Sequence, residues 1–496
     1  MNVSFITRYM SSMDADKVIL FQVKKIEKTF GLEFVDPNGI IKKGYLIENF
    51  EGSFGSQIKF LYLEGSPFPC IEVIGLGTEQ KINDETWLKI GGLCVSEVQN
   101  NYKKIVVFAD ALGINVSTTQ IMNFVLGFLL KQYSFDFYHT NKKNSKQKKE
   151  NNVELIVITK NAENCRKELK HIEAICEGVN LTKELVNEPA NILGTEEFVK
   201  QIKKLEKLNV KVKILDKEKL KKLGMNALLA VAQGSSRPPY LAIMQWNGSD
   251  KKEEKPLAFV GKGVVFDSGG ISIKPSSSME DMKADMGGAG TVVGLMHTLA
   301  TRKAKINVTG VVGLVENMPS STAQRPGDII TSMSGQTIEV INTDAEGRML
   351  LADVLWYCKT EIKPKLIVNL ATLTGAIMIA LGEQYAGLFS NNKDLAKKII
   401  KSGEATSEKV WQLPLGIEYD KLIDSRFADM KNSAGRYAGS ITAAQFLQRF
   451  VDKKTPWAHI DIAGVCMGNK LNEFNVSWAS GFGVRLLNYL IKNYYE

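Results

Sequence analysis

Asn342-Thr343-Asp344-Ala345-Glu346-Gly347-Arg348 is the stretch from which the fold can be read. Two carboxylates, Asp344 and Glu346, stand two residues apart, and the cation Arg348 follows two residues later. Ile338, Val340 and Ile341 give the preceding segment strand character, and Met349 to Trp356 read as a helix. The acids therefore stand where a strand gives way to a helix, which in an open α/β sheet is where ligands collect. Crowded carboxylates repel unless a positive charge lies between them. A metal ion and Arg348 itself are the two candidates.

Further strands and their exits surround this motif. Leu257-Ala258-Phe259-Val260 is a buried-type strand running into Gly261-Lys262-Gly263-Val264-Val265-Phe266-Asp267-Ser268-Gly269-Gly270. Ser272 and Lys274 follow, then Asp281 to Gly288 with Met282 and Asp285, then a helical pattern from Gly290 to Thr301. A strand over Ile306–Val315 leads to the loop Glu316–Asp328. Leu366–Leu370 ends in Ala371-Thr372-Leu373-Thr374-Gly375, and His459–Ile462 ends in Ala463-Gly464-Val465. Four apolar strands thus deliver small or polar residues at their C-terminal ends, which predicts one shared crevice.

Each polar residue has a plain structural alternative. Lys262 follows a glycine, yet the phosphate-loop pattern GxxxxGK[ST] fails because Gly263 comes next. A lysine deprotonated beside a cation can instead ligate metal. Asp267 before Ser-Gly-Gly suits a turn cap, and Asp285 before Met-Gly-Gly suits a helix N-cap. Asp344 and Glu346 suit a capping pair bridged by Arg348. Together these alternatives fail, because five groups of metal-ligating type converge on one crevice. A cluster of oxygens with one nitrogen and no thiolate suits Zn²⁺, Mn²⁺ or Mg²⁺. Four acids exceed what one such ion takes, which indicates two bridged ions about 3.5–4 Å apart. Such a pair polarises a carbonyl and generates hydroxide at neutral pH. Lys274 and Arg348 are then surplus cations, one of them available to a developing oxyanion.

The chain's 496 residues imply two domains. The boundaries expected are 1–160 for an N-terminal α/β domain, 161–188 for a linker helix and 189–496 for the catalytic domain. The linker is an amphipathic helix from Ala162 to about Asn187, with Leu169, Ile172, Ile175, Val179 and Leu185 on its apolar stripe, stopping before Pro189. The fold class is α/β: a smaller N-terminal domain, and a larger C-terminal one with a central mixed sheet flanked by helices. Six cysteines form no CxxC pair, and four histidines form no His-x-x-x-His pair. Buried free thiols in a reducing compartment and an oxygen-held metal follow. No apolar run approaches the ~18 residues of a membrane span, and the first residues lack a signal-like pattern. A cytoplasmic protein with no membrane partner is expected. The net charge is +9, and Asn141–Asn152 holds five lysines against one glutamate. That run has no aromatic or apolar residue, which predicts a solvated loop.

From Gly178 to the C-terminus these motifs resemble the leucyl aminopeptidases, also called cytosol aminopeptidases. The resemblance rests on Asn187-Glu188-Pro189-Ala190-Asn191, Gly261–Gly270, Ser272-Ile273-Lys274-Pro275 and Asp285-Met286-Gly287-Gly288. Glu316-Asn317-Met318-Pro319, Arg325-Pro326-Gly327-Asp328, Asn342–Arg348, Ala371–Ala376 and Ile462-Ala463-Gly464 complete it. The N-terminal block matches only loosely. The resemblance implies two divalent metal ions, Mn²⁺ or Zn²⁺, with Mg²⁺ an alternative at the exchangeable position. Lys262, Asp267, Asp285 and Glu346 would hold the tighter ion, and Asp267, Asp344 and Glu346 the looser one. Lys274 would bind the substrate carbonyl oxygen, and Arg348 would hold a bicarbonate acting as general base. Met282, Thr372, Leu373, Gly375 and Ala463 would line the pocket for the first side chain, with either Cys466 or Met467 completing it. Peptides with a free N-terminus, Leu and other apolar residues preferred, would be the substrates, and a homohexamer the assembly.

A nucleic-acid-binding regulator is the competing class, with the basic segment and net charge in its favour. Intact metal positions favour the enzyme, and the segment's lack of pattern weakens the binder. A two-metal phosphatase lacks a phosphate-cradling loop.

Overall fold

The computed structural model describes residues 2–9, 13–26, 29–95, 102–140, 153–251, 253–468 and 471–496. The lysine-rich segment 141–152 lies outside them. The chain divides into two compact units, Met1–Cys176 with Leu471–Ser477, and Glu177–Lys470 with Trp478–Glu496.

The first unit holds strands β1 (Asn2–Ile6), β2 (Lys17–Val23), β3 (Gln57–Leu61), β4 (Cys70–Gly77), β5 (Lys104–Phe108) and β6 (Glu154–Ile158). They form one sheet in the order β1-β6-β5-β2-β4-β3, parallel except for β3. Every residue of β2 and β4 is buried, as central strands covered on both faces require. Val18, Leu20, Ile71, Val73, Val106 and Phe108 join one core. Helices Asp84–Leu93 and Thr118–Lys131 each open on a capping box, Asn83 with Thr86 and Ser117 with Gln120. They touch backbone to backbone: a Cβ at Gly91 would lie 1.9 Å from the Phe124 carbonyl oxygen.

The helix expected near 162–187 forms over Ala162–Asn187, and the unit boundary falls within it. The second unit contains β7 (Lys211–Leu215), β8 (Tyr240–Asn247), β9 (Leu257–Asp267), β10 (Asn307–Asn317), β11 (Ile329–Thr331), β12 (Thr337–Glu339), β13 (Leu366–Ala371), β14 (Ala386–Ser390), β15 (Val410–Gln412), β16 (Met430–Lys431) and β17 (Trp457–Asp461). Its main sheet runs β15-β14-β17-β13-β9-β10-β8-β7. The middle four strands are mutually parallel, and antiparallel pairs flank them at β14–β17 and β10–β8. This is the mixed sheet expected.

Alternation along β9 shows both faces covered. Leu257, Phe259 and Val265 enter one core with the helix Gly287–Thr301, while Ala258, Val260 and Val264 enter another with the helix Glu346–Tyr357. Phe259 is fully buried, so its truncation to alanine would cost roughly 3–5 kcal/mol. Gly261 and Gly263 face the first helix. A Cβ on Gly261 would sit 2.6 Å from the Ala289 Cα, and one on Gly288 would sit 2.1 Å from the Leu370 carbonyl oxygen. Helix and strand therefore meet without an intervening side-chain layer.

Two sequence expectations change. The strand read over Leu257–Val260, with Lys262 expected after it and Asp267 at a strand end, runs unbroken to Asp267, because its pairing with β10 persists to Asn317↔Asp267. Lys262 thus lies inside a strand and not on a loop after it. The strand expected to lead into Asp344 and Glu346 is only Thr337–Glu339, and it belongs to a separate small sheet, β11-β12-β16. Beyond it the Ile341 and Asn342 N–H groups donate to Asn432 Oδ1 at 2.8 and 3.2 Å. A buried side chain, and not a ladder partner, fixes the backbone there.

Candidate metal centre

One strand and the approaches to two helices bring the expected residues together. Lys262 comes from within β9 and Asp267 from its last residue. Asp285 directly precedes Met286, the N-cap of Gly287–Thr301, and Glu346 is the first residue of its helix. Lys262, Asp267, Asp285, Glu346 and Arg348 are all buried. Carboxylate oxygens of Asp267, Asp344 and Glu346 lie within 4.8 Å of one another.

Two lysines thread this acidic cluster. Lys262 Nζ lies 2.6 Å from Asp285 Oδ1 and 2.8 Å from Glu346 Oε1, and it donates to the Thr372 carbonyl at 2.9 Å. Lys274 Nζ lies 2.9 Å from Asp267 Oδ2 and 2.5 Å from Asp344 Oδ1. Burial works against both ammonium groups, yet the surrounding carboxylates outweigh it and raise both pKa values. Burial, reinforced by Glu346, pushes Asp267 up to about 7 and Asp285 well above the usual range. Asp344 is raised by burial too. Burial would raise Glu346 as well, but Lys262 and Lys274 overcome it and the net shift is downward.

The structural alternatives resolve individually. Asp267 Oδ1 does cap a turn, accepting the Gly269 N–H at 2.9 Å, while Oδ2 faces Lys274. The turn uses φ +86° at Gly269 and +69° at Gly270, where a side chain would be strained. Asp285 makes no N-cap: its Oδ1 takes Lys262 and the Thr372 hydroxyl, the latter at 2.7 Å. Among the described residues no ion pair joins Arg348 to Asp344 or Glu346, so Arg348 is not their bridge. Its Nε is buried with no hydrogen-bond partner, and burial lowers its pKa to about 10.

The donor set fits a divalent ion. Asp285 Oδ2 is buried without a hydrogen-bond partner, an orphan that a cation would satisfy. Four carboxylates without thiolate match hard or borderline ions, and Lys262 would add an amine only after a bound cation displaced its proton.

The residues expected to line the side-chain pocket come from three segments. Thr372 is tied to Asp285, and Leu373 follows half-buried. Gly375 opens the helix Gly375–Leu381, and a Cβ there would meet nothing within 4 Å. Ala463 is buried just past β17, and Met282 is half-buried in the short helical turn Met279–Ala284. The Cys466 thiol lies against Gly287, whose Cβ would be 2.2 Å away, and burial with Asp285 nearby raises its pKa to about 12. Met467 instead bridges Ala479.

Three contributors escaped the sequence reading. Asn317 Nδ2 donates to Asp267 Oδ1 at 2.8 Å and to the Thr343 carbonyl at 3.2 Å. Asn432 holds the Asn342 loop, and Asp461 holds the loop after β13. Asn317 and Asp461 end apolar strands, the same signal that singled out Asp267.

A mixed sheet covered on both faces, with acids gathered at the ends of its parallel strands, defines an α/β protein with a carboxylate-rich centre. The model of the cytosol aminopeptidase family's catalytic domain matches residues 180–488, and that of its N-terminal domain matches 19–142. The chain belongs to the cytosol aminopeptidase family, which carries metal-dependent hydrolysis at peptide N-termini. The N-terminal block, only loosely similar by motif, is thereby included. The probable cytosol aminopeptidase of Phytoplasma mali is 85% identical over 496 residues, covering 100% of both chains. That of Agrobacterium fabrum is 54% identical over 479 residues, 97% of this chain and 96% of its own. Among solved structures, the bottromycin maturation enzyme BotP in complex with Mn matches with a TM-score of 0.84 at 29% identity, over 97% of this chain and 99% of that one. No helix among the described residues is long and apolar enough to cross a membrane.

Proposed function

We propose that the chain is a two-metal leucyl aminopeptidase. The observation that carries this reading is the mutual approach of Asp267, Asp344 and Glu346 within 4.8 Å, beside Lys262 and Asp285. Lys262, Asp267, Asp285 and Glu346 would hold one ion, and Asp267, Asp344 and Glu346 a second, exchangeable one. When bound, the ions supply Lewis-acid polarisation and an acidified water, and a bicarbonate at Arg348 supplies a general base. Mn²⁺ or Zn²⁺, with Mg²⁺ an option at the second position, suits the donor set. The manganese in the BotP complex supports the first of these.

Lys274 reaches the cluster from a partly exposed position, so its Nζ can donate to a substrate carbonyl oxygen as negative charge develops. Arg348, buried and with Nε unpartnered, would offer that donor to an anion. Met282, Thr372, Leu373, Gly375 and Ala463 would receive the first side chain, with Cys466 beside them. Apolar residues, leucine among them, suit such walls. The substrates would be peptides with a free N-terminus, the setting intracellular peptide turnover in the cytoplasm, and the assembly a homohexamer.

Hydrolysis of Leu-p-nitroanilide with added Mn²⁺ tests this reading. Turnover should vanish on chelation, return with metal, and be lost in Asp344→Ala and Lys274→Ala. Absence of turnover in the metal-loaded protein would overturn it.

A further inference from the structure

Asp461 is a carboxylate with no solvent exposure at the last position of β17, where it stands opposite Ala371 of β13. It accepts three hydrogen bonds. The Leu373 N–H donates to Oδ1 at 3.0 Å, the Thr374 hydroxyl to Oδ2 at 2.7 Å, and the Ala463 N–H to Oδ1 at 3.3 Å. Thr374 Oγ1 in turn accepts the Ile377 N–H at 3.2 Å and so caps the helix Gly375–Leu381. The donors come from two separate chain segments, one after β13 and one after β17. These are the two segments that the proposed function assigns to the walls of the side-chain pocket.

The loop after β13 is held at two points. Thr372 is fixed toward the metal centre, through its hydroxyl to Asp285 and its carbonyl to Lys262. Leu373 and Thr374 are fixed toward β17, through Asp461. Gly375 then faces open space. A charge buried so completely is costly unless it is fully hydrogen-bonded. Its three donors all belong to pocket segments, and a neutral cap would have sufficed to end a strand. Burial raises its pKa to about 6, with the three donors opposing.

We propose that Asp461 is a positioning residue that sets the width of the side-chain pocket, by clamping the Leu373–Thr374 loop to Ala463. It touches neither substrate nor ions, and it acts on the discrimination among first residues and not on the chemical step. The inference rests on the aminopeptidase reading and deepens it.

The test is a series of aminoacyl-p-nitroanilides with Ala, Met, Leu and Phe as the first residue, assayed on the metal-loaded full-length protein. In Asp461→Ala the ratio of kcat/KM for Leu over Ala should fall about tenfold, through KM, the scale on which a pocket distinguishes small apolar differences. Metal content per chain should stay at the wild-type level. Asp461→Asn keeps an acceptor oxygen and should restore most of the ratio. Thr374→Val deletes only the hydroxyl and should move the ratio in the same direction by a smaller factor, which keeps the test decisive where Asp461→Ala does not fold. A uniform fall of kcat across the series, or an unchanged ratio in whichever of Asp461→Ala and Thr374→Val folds, overturns the inference while leaving the aminopeptidase reading intact. A wild-type protein inactive on every substrate overturns that reading and this one with it.

Discussion

Gly347 lies against the stem of Lys262: a Cβ added there would stand 2.5 Å from Cε and 2.8 Å from Nζ. The residue between Glu346 and Arg348 must therefore be bare for Lys262 to reach Glu346 and Asp285. Gly347→Ala forces the lysine aside, at an overpacking cost of about 1–3 kcal/mol. Metal retained after dialysis should drop, and Leu-p-nitroanilide turnover should fall by about 100-fold or more, the scale of a misplaced catalytic group. Wild-type metal content and activity in this variant would contradict the arrangement.

Asn317 orients Asp267 through a hydrogen bond of 2.8 Å. Asn317→Ala removes one of the two hydrogen bonds to Oδ1 and leaves Asp267 held by the Gly269 N–H and Lys274. Supporting partners of metal ligands are typically worth 10–100-fold in affinity, so titration with Mn²⁺ should show weakening of about that size. An unchanged titration would remove Asn317 from the site.

His459 gives a pH signature. It is fully buried, stacked on Phe389, and shares a hydrogen bond of 2.9 Å with Asn369. Burial pushes its pKa from 6.5 down to about 3. Between these values the unfolded chain binds a proton that the folded chain refuses. The stability it contributes is complete above pH 6.5 and is lost as pH falls toward 3. His459→Gln should flatten the decline in denaturation midpoint across that window, by up to about 1.4 kcal/mol per pH unit. Parallel curves for the two proteins would rule this out.

Asp353 joins two segments from inside the helix Glu346–Tyr357. Its oxygens accept the Leu228 N–H at 2.9 Å and the Met333 N–H at 2.8 Å, with no solvent exposure. Asp353→Ala strands both donors and should cost about 3 kcal/mol. Asp353→Asn, which keeps one acceptor, should cost less. Thermal melts distinguish the two, and equal midpoints would show that the hydrogen bonds carry little.

The fold class was legible because buried parallel strands leave long apolar runs, as in Leu257–Val260 and Leu366–Leu370. The clustering of Lys262, Asp267, Asp285, Asp344 and Glu346 was legible because each stands beside such a run or a glycine turn. What the sequence concealed is non-local. Thr337–Glu339 reads as a strand, but nothing in it says that its partners are β11 and β16 and not the main sheet. Asn432 fixes the Asn342 loop from 90 residues away, a separation that no periodicity reveals. Asp461 was passed over for a similar reason. Its importance lies in three donors that become neighbours only when β13 and β17 pair.

The glycine seam between β9 and the helix Gly287–Thr301 bears on how this chain can evolve. Lys262 lies in β9, and Asp285 stands two residues ahead of the helix that meets β9 in direct backbone contact, so their spacing depends little on repackable side chains. Drift in the surrounding cores can change volumes and partners without reaching that spacing. The loops after β13 and β17 are tied to each other by side chains as well, Thr374 and Asp461 among them. On the proposed reading, selection can retune which first residue is accepted while the interval between Lys262 and Asp285 stays inherited.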